Sequence, residues 1–230
     1  MKIFLKLGLS ALALLFLFSA LAVTETKAQT GVLGEVLKRM DEHNKKLATL
    51  KASVRMDKYN AQIDTHDITE GSVTYAAQKG KNPYVRIDWT KPVEESLAVV
   101  NKEYVLYRPK LNQYIKGNIN QAKGSGTAGG ALAFINMSKA QLKANYTIRY
   151  VGQETASGAP TWHLELTPKA ATNYKVAELW VDGNGMPIQA KVTENSGETT
   201  TIVLSNLQKN VTVNGSDFVI NTKGAKEVKG

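Results

Sequence analysis

Between Gly71 and Gln113 the chain alternates large apolar residues with polar ones at period two, broken by Pro83, Pro92 and Pro109. Val73 and Tyr75, then Val85, Ile87 and Trp89, then Leu97 and Val99, then Tyr104 and Leu106 each fall on one side of a pleated strand. Successive side chains of a strand point to opposite faces, so this spacing predicts an antiparallel sheet with one apolar face. No cluster of reactive side chains accompanies the pattern. The expectation is therefore a sheet that holds something on its apolar face, not an enzyme.

The N-terminus carries a different signal. Lys2 and Lys6 precede an apolar run from Leu7 to Val23, and Ala20-Leu21-Ala22 or Thr26-Lys27-Ala28 supplies small residues behind it. A basic start, an apolar stretch and a small-residue site make a secretory signal peptide. An uncleaved anchor is the competing reading, since the run is nearly long enough to span a bilayer. The small residues favour cleavage, expected after Ala28, with residues 29–230 forming one domain.

The formal net charge is +9, of which residues 1–28 carry a net +2 through Lys2, Lys6 and Lys27 against Glu25, leaving +7. Such an excess suits anionic membrane surfaces or acidic partners. The cations form no run, so no nucleic acid is expected as partner. There is no cysteine, which excludes disulfides, zinc-thiolate sites, a cysteine nucleophile and a lipid-bearing cysteine. The mature protein is expected to be soluble, monomeric and periplasmic.

Gly31 to Leu50 has helical spacing: Val32, Leu33, Val36, Leu37, Met40, Leu47 and Leu50 lie along one stripe, with charged residues between them. Strands are expected near 52–60, 66–78, 84–90, 95–101, 103–108 and 112–117, then near 146–152, 160–167, 175–182, 186–194 and 198–208, with a weaker one at 216–221. Between the two sets, Gly124, Gly126, Gly129 and Gly130 crowd a loop that opens onto Ala131 to Met137, and Ser138 reads as an N-cap for a helix over 139–144. Turns are expected at Asp182-Gly183-Asn184-Gly185 and Asn195-Ser196-Gly197. Residue patterning alone supports a mainly β fold, an open or closed antiparallel barrel with helical additions.

Candidate chemistry is sparse. Gly124 to Gly129 matches GxGxxG literally, yet no strand–helix alternation surrounds it and Asn145 and Tyr146 stand where an acidic residue is wanted. A hinge explains it better than a nucleotide. His163 and Glu165 share a strand face, and Asp64, His66 and Asp67 lie close in sequence, but neither set has a further ligand at metal spacing. Both are taken as ordinary surface or turn residues, and His43 as a solvated helix residue. No cofactor or metal is expected.

Several stretches, read in order, resemble the LolA family of periplasmic outer-membrane lipoprotein carriers. They are Leu47 to Ser53, Gly71 to Tyr75, Val85 to Pro92, Leu106 to Gln113, Leu164 to Lys169, and Glu198 to Thr201 leading to Leu204-Ser205-Asn206. The resemblance implies an unclosed, strongly curved antiparallel barrel of about eleven strands, with an N-terminal helix and a central helical lid. It implies acylated lipoproteins as cargo, an inner-membrane ABC transporter as donor, and an outer-membrane receptor or that membrane itself as acceptor. Carried over position by position, the lipid-binding residues are Val73, Tyr75, Val85, Ile87, Trp89 and Leu97 on strands, and Leu132, Phe134 and Ile135 in the lid. Gly124, Gly126, Gly129 and Gly130 would hinge the lid. A protein of the same fold that senses or binds another amphiphile is the alternative.

Two positions depart from the family pattern. Asn82-Pro83 stands where the family has Arg-Pro, whose arginine tethers the lid, and Lys79 and Lys81 lack the rigid guanidinium fork. Asn221-Thr222-Lys223-Gly224 replaces a Pro-Pro-x-Gly type element.

Overall fold

The computed structural model describes residues 21–118 and 137–229, with side chains from Thr30 onward. The expected hinge glycines Gly124, Gly126, Gly129 and Gly130 and the expected lid residues Leu132, Phe134 and Ile135 lie outside the described residues.

Helix α1 (Leu21–Lys46) leads into β1 (Thr49–Asn60), β2 (Thr65–Ala76), β3 (Tyr84–Lys91), β4 (Glu95–Val100), β5 (Glu103–Arg108) and β6 (Gln113–Asn118). Helix α2 (Lys139–Asn145) then precedes β7 (Tyr146–Ala156), β8 (Ala159–Pro168), β9 (Tyr174–Asp182), β10 (Pro187–Glu194), β11 (Thr199–Lys209) and a short β12 (Lys226–Glu227). All twelve strands form one sheet in the order β12-β6-β5-β4-β3-β2-β1-β11-β10-β9-β8-β7. Every pair is antiparallel hairpin-style except β1 with β11, which joins the two halves, and β12, which runs parallel to β6. Strands β12 and β7 end the sheet without pairing to each other, so the strongly curved sheet is not closed into a barrel.

The register puts a continuous set of apolar residues on one face, here called inner. Leu50, Ala52, Val54 and Met56 of β1 lie opposite Tyr75, Val73, Gly71 and Thr69 of β2. Tyr75, Val73 and Gly71 lie opposite Val85, Ile87 and Trp89 of β3, and the set continues through Leu204 and Ile202 of β11 to Leu179 and Leu164. Helix α1 lays Val36, Leu37 and Met40 on this face, all at most 2% exposed, and α2 adds Leu142 at 0%. The outward face of α1 carries the ion pairs Glu35–Arg39, Asp41–Lys45 and Lys38–Glu42 at i,i+4 spacing. Each such pair stabilises an exposed helix by only about 0.2–0.5 kcal/mol, so α1 is held mainly by its buried stripe.

Local chemistry accounts for most boundaries. Helix α1 stops at Lys46 rather than continuing to Leu50, because Thr49 and Leu50 enter the ladder opposite Ala76 and Tyr75. Ser138 caps α2 as expected: its hydroxyl accepts from the Gln141 N–H (3.2 Å), while the Gln141 side chain accepts from the Ser138 N–H (2.9 Å). In the β9–β10 turn, Asp182 Oδ1 accepts from the N–H groups of Asn184 and Met186. Gly185 there has φ +87°, and a Cβ on it would meet the Arg39 carbonyl at 2.3 Å, so α1 packs directly onto this turn. The expected strand at 216–221 is instead a 3-10 turn, Gly215–Phe218, in which the Asn214 N–H donates to Asp217.

That C-terminal segment lies on the outer face. The Arg86 guanidinium binds both carboxylate oxygens of Asp88 (3.1 and 2.8 Å at Nε) and donates to the Asp217 and Val219 carbonyls (3.2 and 3.0 Å). Ser96 donates to Asp88 at 2.6 Å, and buried Phe218 meets Tyr84 edge-on at 5.6 Å. Residues 221–224, where the family element was missed, form a turn with Gly224 at φ +82° whose carbonyl accepts from the Asn112 amide. Tyr114 then donates to Glu227, and β12 borders β6.

Candidate functional site

The inner face is unevenly covered. Of the six strand positions expected to bind lipid, Val73 (4%), Tyr75 (6%), Ile87 (2%) and Trp89 (8%) are buried in the main apolar cluster, whereas Val85 and Leu97 are half-buried at its margin. The structure therefore brings all six onto one face and splits them between the cluster and its edge. Further along the same rows, Val85 lies opposite Val99, Val99 opposite Tyr104, Leu97 opposite Leu106, and Leu106 opposite Ile115. Val99, Tyr104, Leu106 and Ile115 are all half-buried.

A second half-buried set borders the opposite end of the sheet. Ile148 and Tyr150 of β7 share the inner face with their partners Leu166 and Leu164, which are fully buried. Partial exposure thus collects at β4–β6 and at β7, the two flanks on either side of the gap that keeps the sheet open. Ile115, Ile148 and Tyr150 were not among the expected site residues. The alternation Tyr146, Ile148, Tyr150 was the available signal, and it was used only to place a strand.

The buried centre of the inner face is apolar, and charges sit at its rim, where Glu95 opposite Trp89 pairs with Arg108 at 2.8 Å. Burial pushes the Tyr75 phenol up to about 12, so it stays neutral in the folded protein across the ordinary pH range. Tyr146 and Tyr174 share a hydroxyl–hydroxyl hydrogen bond of 2.6 Å, and burial followed by that bond raises the Tyr174 phenol as well. Such a surface offers apolar contact and a few neutral hydroxyls.

Polar clusters lie elsewhere. His163 is not the surface residue expected: it is 7% exposed, stacked on Trp180 with ring centroids 4.3 Å apart. Its Nδ1 lies 2.9 Å from Glu154 and its Nε2 3.1 Å from Glu178, while Glu165 instead pairs with Arg149 at 2.7 Å. Both ring nitrogens are occupied within the outer-face network, which also takes in the Trp180 N–H on Glu154. The Trp180 and His163 hydrogen bonds hold the Glu154 carboxyl below its usual range. His43 also departs from expectation, since its Nε2 is buried without a hydrogen-bond partner and burial, then Lys209, pushes its pKa down. His66 sits against Asp57 at 2.8 Å and Asp64 accepts from Tyr59, an ordinary hairpin arrangement. Among the described residues no group of three or more His, Cys, Asp or Glu is placed to hold a metal, and no described helix is long and apolar enough to cross a membrane.

Comparison with known proteins fits this architecture. The fold resembles an uncharacterized conserved protein from Thermus thermophilus (TM-score 0.56, 13% identity, covering 86% of this chain and 99% of that one). It also resembles the MucA/MucB complex structure of Pseudomonas aeruginosa (TM-score 0.52, 13% identity, covering 84% of this chain). The match spans 62% of that protein's chain. A LolA superfamily protein from Nitrosomonas europaea aligns at 16% identity over 81% of this chain and 97% of its own, with TM-score 0.43. No curated protein matches the sequence. A family model described as outer membrane lipoprotein carrier protein LolA matches residues 45–221, the stretch that runs from the end of α1 through β11 and the 3-10 turn. The chain belongs to the LolA family of outer membrane lipoprotein carrier proteins.

Proposed function

We propose that this protein is a periplasmic carrier that takes up the acyl chains of lipoproteins against its inner face and moves them from the inner to the outer membrane. The observation that carries the reading is the half-buried apolar row Leu97, Leu106, Ile115 beside the gap in the sheet, in a chain of this family. An exposed methylene costs about 0.8 kcal/mol, so three long acyl chains left bare in water would cost on the order of tens of kcal/mol. A shuttle has to cover them and then release them.

Partial burial suits both demands. Val85, Leu97, Val99, Leu106 and Ile115 keep apolar area that a ligand can cover, while the buried Val73, Tyr75, Ile87 and Trp89 become available only if the cover over them shifts. Residues Leu132, Phe134 and Ile135 are proposed as that cover, with Gly124, Gly126, Gly129 and Gly130 as its hinge. The signal-peptide-like residues 1–28 and the absence of cysteine support a periplasmic, unanchored product. The donor is proposed to be an inner-membrane lipoprotein-releasing ABC transporter, and the acceptor an outer-membrane receptor or the membrane itself.

Mass spectrometry of ligands co-purified from native periplasm tests the reading. Triacylated lipoprotein should be recovered with the protein and be lost from a Leu106→Glu variant that stays folded. Recovery of free lipid alone, or none, would count against lipoprotein carriage.

A further inference from the structure

The hairpin β1–β2 overhangs its neighbour. Strands β1 and β2 pair along their whole length, from Thr49↔Ala76 to Asn60↔Thr65, but β3 pairs with β2 only from Ala76 to Glu70, where Lys91 ends the ladder. Pro92 follows, and the chain turns away. Among the described residues, 65–69 of β2 consequently have β1 on one side and no strand on the other, a free edge about 17 Å long at the rise of a strand.

Natural sheets protect such edges with bulges, covering elements or brevity. Elsewhere, β7 carries a bulge between Tyr150 and Gly152 and touches both helices, and β12 covers β6 at Gln113 and Tyr114. The β2 overhang has an irregularity only at its root, between Glu70 and Gly71, and no described element lies over residues 65–69. It is instead stiffened, because Tyr59 and His66 pack across the hairpin at 4.6 Å, Tyr59 donates to Asp64, and the Asn60 side chain accepts from the Gln62 N–H. Around it stand three exposed large apolar residues: Ile68 (40%) on the edge, Ile63 (67%) at the hairpin end and Val93 (50%) in the turn at its base. Asp64, Asp67 and Glu94 are exposed there too, and none takes part in an ion pair within 4 Å among the described residues. Asp64 lies at the hairpin tip, Asp67 opposite Lys58 in the ladder and Glu94 in the β3–β4 turn, so acids border the overhang on a chain of net charge +9.

We propose that residues 65–69 of β2 dock an extended, cationic, apolar-alternating segment of a partner protein, added as a further strand. Backbone hydrogen bonds to the free edge would supply affinity. Ile68 and Val93 would meet apolar side chains of the added strand, and Asp64, Asp67 and Glu94 would select lysine or arginine. A second copy of this chain fits poorly, since antiparallel pairing of 65–69 with itself sets Asp67 against Asp67.

The test titrates isotope-labelled protein with an end-capped hexapeptide of alternating lysine and valine and, separately, with its glutamate–valine counterpart, following amide shifts and hydrogen exchange. The lysine peptide is expected to shift and protect amides of residues 65–69 and to bind about tenfold more tightly than the glutamate peptide. Asp67→Lys, checked for an unchanged unfolding transition, should reverse that preference. Equal binding of both peptides, protection on β7 instead, self-association through this edge, or no change at millimolar lysine peptide would each overturn the proposal.

Discussion

Leu164 and Leu97 sit on the same inner face of one sheet, yet the first is 0% exposed and the second is half-buried. Strands β8–β11 and β1–β3 meet the stripe Val36, Leu37 and Met40 of α1 in one packed cluster, while β4–β6 and β7 carry their apolar residues to the flanks beside the gap. The two regions share a strand pattern and differ in how deeply their apolar residues are buried. The packed region holds the sheet's shape, and on the proposed function the half-buried flanks are where a ligand would be covered. The proposed carrier function would need both, because a face that was all core would admit nothing and a face that was all open would not stay folded.

Substitutions on the two regions should separate these roles. The largest effect is expected from Ile87→Glu: a carboxylate at a 2%-exposed position has no partner, so the folded state should lose several kcal/mol, about 3–5, with the loss read by denaturant unfolding. Leu164→Ala comes next, at about 2–5 kcal/mol from lost burial and a residual cavity, with lipid binding per folded molecule unchanged. On the flank, Leu106→Ala should cost under about 1.5 kcal/mol, yet weaken binding of a fluorescent fatty acid severalfold. Equal stability losses at Leu164 and Leu106 would erase the distinction.

A further effect concerns pH. The Tyr75 phenol is neutral when folded up to about 12 but ionises near the ordinary tyrosine value of about 10 when unfolded. Between those values the unfolded chain binds fewer protons, so stability should fall as pH rises from 10 and level off above about 12. Tyr75→Phe should flatten that fall in a pH series of unfolding curves, and an unchanged slope would assign it to other groups.

Much of this architecture was legible in the residues. Period-two alternation located eleven strands to within a few residues, and Ser138 and the Asp182–Gly185 turn behaved as their side chains dictate. The ends that were missed depend on distant partners: α1 yields Thr49 and Leu50 to a ladder with β2, and β12 exists only because residues 226–227 reach β6. The same reason hid the division of the inner face. Ile87 and Leu97 look alike in sequence, and only tertiary packing puts the first in the cluster and the second at its margin. His163 shows the limit on the polar side, since its burial comes from stacking on Trp180 and from glutamates of two neighbouring strands. The family resemblance supplied what periodicity could not, namely acyl chains as the kind of ligand to expect on that face.

The most direct test is methyl NMR of the protein with a fatty acid that carries a nitroxide on its chain. Signals of Leu97, Leu106, Ile115 and Ile148 should broaden first, with Leu164, Leu179 and Ile202 largely spared. Broadening spread evenly over both groups, or confined to residues off the inner face, would contradict the account.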